Sequence, residues 1–121
     1  ESVTAVVLDL LKQHPEITAL VTPQDTGVPG ILKAITAQGL RIPDDISVVA
    51  LLDEDVAGMT TPPLTALSFK SKELGFKAVD MLIAQLDGDP SEPQQVLVPS
   101  TLHVRGSTGP ARESIAAILR R

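Results

Sequence analysis

The sequence predicts an α/β fold built on a parallel sheet, and three observations carry that prediction. Helical and extended patterns alternate along the chain, the order that parallel crossovers require. Ile46 to Leu52 is an almost unbroken apolar run with β-branched residues, the pattern of a strand buried on both faces. Asp53, Glu54 and Asp55 follow at once, which puts polarity at the carboxyl edge of the sheet, where open α/β folds bind ligands.

Each element has its own signal. Val3, Val6, Val7, Leu10 and Leu11 make one stripe of an amphipathic helix that Ser2 caps and that ends by His14-Pro15. Ile17 to Thr22, β-branched and bounded by Pro15 and Pro23, reads as a strand. A second helix spans Gly27 to Gln38, with Asp25 or Thr26 as N-cap, Pro29 in the first turn and Gly39 as the stop. Pro43-Asp44 is a turn signal before the strand Ile46 to Leu52. Asp53 to Pro63 reads as a loop long enough to suggest function. Leu64 to Phe69 reads as extended, and Ser71 to Leu86 as a helix capped by Ser71 or Ser68 and stopped by Gly88 and Pro90. That helix is apolar on two stripes, one through Leu74, Ala78, Met81 and Leu82 and one through Phe76, Val79, Ile83 and Leu86, so it wants partners on two sides. Gln95 to Arg105 holds two short extended pieces split by Pro99-Ser100, and a last helix runs through Ile115, Ile118 and Leu119.

Composition narrows the function classes. A length of 121 residues without an internal repeat fits one domain. The core is aliphatic: 43% of residues are apolar but only 2% aromatic, with no Trp or Tyr to serve as a stacking platform for sugars or bases. The absence of Cys excludes disulfides, thiolate metal sites and thiol redox chemistry. A net charge of −5 opposes gripping of phosphate backbones, so any contact with DNA would be made by another segment. No apolar run approaches the ~20 residues of a membrane span. Acids stand where a signal peptide carries basic residues, and the chain starts within a helix pattern, so a piece of a longer protein is expected.

Catalytic chemistry finds little support. His14 precedes a proline and His103 alternates with Thr101 and Arg105 on an extended stretch, neither near a nucleophile motif, so both are expected as solvated or hydrogen-bonded imidazoles. Asp44-Asp45 and Asp53-Glu54-Asp55 are carboxylate pairs and triples of the kind that hold Mg²⁺, but no glycine-rich phosphate loop accompanies them, and solvated loops are expected instead. Neither a metal nor a cofactor is expected. Asp25, at a strand end and a helix start, either caps that helix or reaches a ligand.

Five phrases in order, ITALVTPQD, GILKAITAQGLRIPDDISVVALLDED, TPPLTAL, KELGFKAVDML and TLHVRGST, resemble the effector-binding domain of LacI/GalR family transcription regulators over about Ser2 to Thr108. The resemblance implies a periplasmic-binding-protein-like type I fold, a parallel-sheet sandwich of which residues 1–121 form the C-terminal subdomain with crossover segments. It implies that residues 64–98 cross to a first subdomain that lies outside this sequence. It further implies a cytoplasmic, non-enzymatic repressor with no membrane partner, which binds a small-molecule effector, forms a homodimer and touches operator DNA only through an N-terminal domain not contained here. Two other functions compete: a solute-binding receptor of a sugar transport system, with the same fold behind a secretion signal, and a small Mg²⁺ enzyme using the acidic loop.

Site residues follow from the same comparison. Gln24, Asp25, Leu52 and Asp53 fall at the family's ligand positions, and Pro29, Leu32, Lys33, Val56, Met59 and Thr60 at its dimer face, although Leu32 and Met59 would also serve as ordinary core. Leu52 stands where the family usually has an Asp, Gln24 where it has Asn, and Ala50 where it has Gly. Losing that carboxylate leaves a sugar hydroxyl without its acceptor, at a cost of about 1–3 kcal/mol, which argues against a simple sugar as effector. With the first subdomain absent, the two-sided helix is expected to repack against its own body or to pair with another copy.

Overall fold

The structure, a computed structural model, describes residues 2–88 and 94–113; the expected last helix lies outside the described residues. Helix α1 spans Val3–Gln13, and the Ser2 hydroxyl accepts the Ala5 N–H at 3.3 Å, the expected cap. Strand β1 is Ala19–Thr22, two residues shorter at its start than expected. A 3-10 turn, Asp25–Gly27, then runs directly into helix α2, Val28–Ala37. The expected cap is corrected here. Gly27, not Asp25 or Thr26, occupies the cap position of α2, and the Asp25 carboxylate instead accepts its neighbour's N–H, that of Thr26, at 2.7 Å. The turn and Pro29 together leave fewer orphan donors for a side chain to satisfy. Gly39, at φ +71°, ends the helix as expected.

Strand β2 is Ser47–Leu51, and the stretch expected as a loop contains a short helix α3, Glu54–Gly58, opened by Asp53 in extended conformation. Five residues are too few to show helical periodicity, which is why the sequence hides it. Thr60 fixes the exit: its hydroxyl accepts the Leu64 N–H at 3.1 Å and donates toward the carbonyls of Ala57 and Pro62 at 3.0 and 2.9 Å. Strand β3 is Thr65–Ser68, and helix α4 is Ser71–Leu86. Neither expected serine caps α4; Lys70 holds that position in the left-handed region at φ 52°, while Ser68 accepts the Lys70 N–H at 3.3 Å. Strand β4 is Thr101–His103, and the extended piece expected before Pro99 forms no strand.

The sheet order is β1-β2-β3-β4, with the first three strands parallel and β4 antiparallel to β3. Alternation assigns its two faces. Val48, Ala50, Leu52, Leu64 and Ala66 join Val7 and Leu11 of α1 and Val28, Ile31, Ala34 and Ile35 of α2 in one aliphatic core. The two helices meet closely, since a Cβ on Gly30 would lie 2.9 Å from the Cβ of Val3. The register sets Val21, Val49, Leu51, Leu67 and Leu102 side by side on the opposite face, where Val21 is 66% exposed and Leu102 56%.

After β4 the RGST segment runs back along β2 and β3 and pins them. The fully buried Ser107 donates its hydroxyl to the Val48 carbonyl at 2.5 Å, accepts the Thr65 N–H at 2.8 Å, and offers its own carbonyl to the Val48 N–H at 2.9 Å. Arg105 donates to the Leu64 carbonyl at 2.9 Å. By contrast, α4 buries none of its residues, so the expectation that it folds back on its own body is not met. Most of its apolar residues on both stripes, Phe76 and Leu82 among them, stay exposed, since α1 and α2 cover one face of the sheet and α4 does not pack on the other.

Candidate functional site

The carboxyl ends of the three parallel strands meet at an open hollow of about 290 Å³. β1 contributes Pro23, Gln24 and Asp25, β2 contributes Leu51, Leu52 and Asp53, α3 contributes Val56, and the link from β3 to α4 contributes Phe69 and Ser71. All four ligand-position residues read from the sequence therefore line one hollow. The reason is topological: parallel strands end on one edge, so the residue just past each strand arrives at the same place.

The four differ in what they offer. Leu52 is 5% exposed, belongs to the core and extends the ladder by donating its N–H to the Leu67 carbonyl at 3.2 Å, so it forms floor and not rim. Asp53 and Asp25 are exposed. The Ser71 hydroxyl donates to Asp53 Oδ1 at 3.0 Å, tying the start of α4 to the end of β2. The Thr22 hydroxyl donates to the Gln24 carbonyl at 3.0 Å and shapes the bend that presents Gln24 and Asp25. The second oxygens of Asp25 and Asp53 have no protein partner among the described residues.

Sequence reasoning missed Phe69 and Ser71 as lining residues and read Val56 only for the dimer face. Phe69 and Ser71 follow β3 as Asp53 follows β2, so the strand-end rule applied to the third strand would have found them. As a lining residue Val56 was hidden with α3. A second, adjacent hollow of about 270 Å³ shares Asp53 and Ser71 and adds Glu54, Asp55, Ser68, Lys70, Lys72 and Glu73.

Several other acids have protein partners. Glu54 Oε1 lies 3.4 Å from His103 Nδ1 and 3.8 Å from Arg105 on the return strand. Asp45 accepts from Arg41 at 3.0 Å, and that hydrogen bond, before the charge attraction, holds its carboxyl below the ordinary value of 3.8. His14 contacts Glu16 at 3.0 Å, a local hydrogen bond. Among the described residues no three or more His, Cys, Asp or Glu side chains converge in a metal-holding group.

The dimer-face residues divide. Val56 and Met59 of the α3 region are 50% and 81% exposed, and Pro29 and Lys33 of α2 are exposed as well. Leu32 is half-buried against the core, and Thr60 spends its hydroxyl inside the turn before β3. Among the described residues no helix is long and apolar enough to cross a membrane.

Comparison with known proteins agrees with this geometry. Residues 2–108 match the model of a periplasmic binding protein-like domain. The chain is 28% identical over 107 residues to the HTH-type transcriptional regulator CelR of Thermobifida fusca, covering 88% of this chain but only 32% of that one. Among solved structures, a LacI family transcriptional regulator from Bifidobacterium animalis subsp. lactis superposes with a TM-score of 0.81 at 28% identity, covering 91% of this chain and 40% of that one. A LacI family regulator from Arthrobacter, in complex with lactose, superposes with a TM-score of 0.79 at 25% identity, over 88% of this chain and 41% of that one. The chain thus spans about a third of the length of the curated regulator it matches.

Proposed function

Because this chain belongs to the periplasmic binding protein-like domain family, in the form carried by LacI-type transcription regulators, we propose that it is the effector-binding and dimerising part of a transcriptional repressor. The observation that carries the proposal is the convergence of Gln24, Asp25, Leu52 and Asp53 on one hollow at the carboxyl edge of the parallel sheet. This hollow is one wall of an effector cleft. Of residues 64–98, Leu64 to Ser68 stay in this body as β3 and its lead-in, and the part that follows crosses to a first subdomain that supplies the other wall; the absence of any buried residue on α4 supports that crossing. An effector that touches both walls favours the closed arrangement and so shifts the affinity of a linked DNA-binding domain for its operator.

A homodimer fits the same reading, with the exposed Pro29, Lys33, Val56 and Met59 available to a partner, while Leu32 and Thr60 support that surface from within. Two-fold pairing is what a palindromic operator demands of its reader.

The test uses the full-length regulator with its operator. Sugars, purines and amines are screened for a change in operator affinity, and the responding compound is titrated against Gln24→Ala and Asp53→Ala. Each variant should weaken the response about tenfold, equivalent to about 1.4 kcal/mol, with effector-free operator binding unchanged. A response of wild-type strength in both variants overturns the assignment.

A further inference from the structure

The hollow at the carboxyl edge has an uneven chemistry that points beyond effector binding in general to a class of effector. Its floor and one side are apolar: Leu52, Leu51, Val56, Pro23 and the ring of Phe69. Its only charged lining groups are Asp25 and Asp53, and neither Lys, Arg nor His is among the lining residues. Each carboxylate gives one oxygen to a protein donor, Thr26 N–H at 2.7 Å and the Ser71 hydroxyl at 3.0 Å, and keeps the other. The adjacent hollow adds Glu54, Asp55 and Glu73 against Lys70 and Lys72, and Lys70 Nζ lies 3.9 Å from Glu73, so its charge is already answered.

Such a wall disfavours anions, because a phosphate or carboxylate brought against it meets the charges of Asp25 and Asp53 with no cation in the lining of this hollow to receive it. A neutral polyol uses it less fully, since its hydroxyls find polar side chains only at Gln24, Asp25, Asp53 and Ser71 and leave the apolar lining uncovered. A protonated amine on a compact apolar body satisfies both halves. The ammonium donates to the carboxylate oxygens of the lining through charge-assisted bonds, and the body covers Leu52, Val56 and the Phe69 ring.

We propose that the effector of this site is a cationic amine carried on a small apolar body, a proposal that rests on the hollow being the effector site. The test measures binding of three matched probes, 2-phenylethylamine, 2-phenylethanol and phenylacetate, to the full-length protein by calorimetry at low ionic strength. The amine should bind at least tenfold more tightly than the alcohol, and phenylacetate more weakly than either. In the double variant Asp25→Asn/Asp53→Asn the amine's advantage should fall to within twofold. Val56→Trp, which fills the hollow without changing its charge, should abolish amine binding with the oligomeric state in sedimentation unchanged, and its half-exposed position lets the larger side chain fit without disturbing the core.

The outcomes separate the two ideas. If Val56→Trp blocks binding but the alcohol or phenylacetate matches the amine, the hollow is the effector site and the amine class is wrong. If amine binding ignores Val56→Trp, both fail. Absence of amine binding at millimolar concentration, or an advantage that survives the double variant, also overturns the amine class.

Discussion

Ser107 holds the middle of the sheet through three hydrogen bonds, and its replacement strands the groups it serves. Ser107→Ala leaves the buried Thr65 N–H and the Val48 carbonyl short of a partner, which costs about 1–3 kcal/mol for each group left unsatisfied. Urea unfolding should register the loss as a lower midpoint with an unchanged slope. Gly30 is as sensitive for a steric reason: a methyl group there meets the Val3 Cβ at 2.9 Å, so Gly30→Ala should destabilise by about 1–3 kcal/mol, read as a lower melting temperature. Asp45 sets a pH response at the surface. Its folded value lies below the ordinary 3.8, so the stability it contributes is full above that value and fades as the pH falls through the lowered one. Asp45→Asn should flatten this part of the acid limb in unfolding measured between pH 5 and 2. Residues of this kind were partly legible. Asp44 and Asp45 read from the sequence as a solvated pair, and their bonds to nearby Arg41 are local, whereas Ser107 serves strands that are distant in sequence and its role appears only in the fold.

At the scale of elements, the sequence revealed what repeats and concealed what is short. α1, α2 and α4 announce themselves through 3.6-residue periodicity and their flanking proline and glycine signals, and β2 through its apolar run. The turn Asp25–Gly27 and helix α3 are shorter than any period, and both lie at the candidate site, so Val56 was read for the dimer face alone while Asp25 and Asp53 were read as lining. The entrance to α4 is held by a lysine in a left-handed conformation that costs an L-residue roughly 1–2 kcal/mol. Lys70→Gly should therefore raise stability by up to about 1 kcal/mol, read as an upward shift of the melting temperature. On α4 itself, Phe76→Ser with Leu82→Ser removes no buried contact, so unfolding free energy should stay within about 0.5 kcal/mol of the parent.

Among the described residues, the sheet presents one face covered by helices and one left open. Val21, Val49, Leu51, Leu67 and Leu102 line the open side of the sheet, and α4 adds a second apolar surface, more than a soluble monomer usually leaves uncovered. The 121-residue chain alone should self-associate as its concentration rises, and Val21→Lys with Leu102→Lys should shift its sedimentation toward monomer. The fold class was legible because alternating elements force parallel strands and bring their ends to one edge; which face stays open was not, since a strand reads alike whether or not a layer covers it. One further consequence lies in the pairing of Val48 with Ser107, 59 positions later. A ribosome releases β2 and β3 well before the segment that pins them, so the nascent chain must wait with the Val48 and Thr65 amides unsealed until Ser107 has emerged. Synthesis halted before residue 105 would yield a sheet without its clasp, open to strand exchange or to capture by a chaperone.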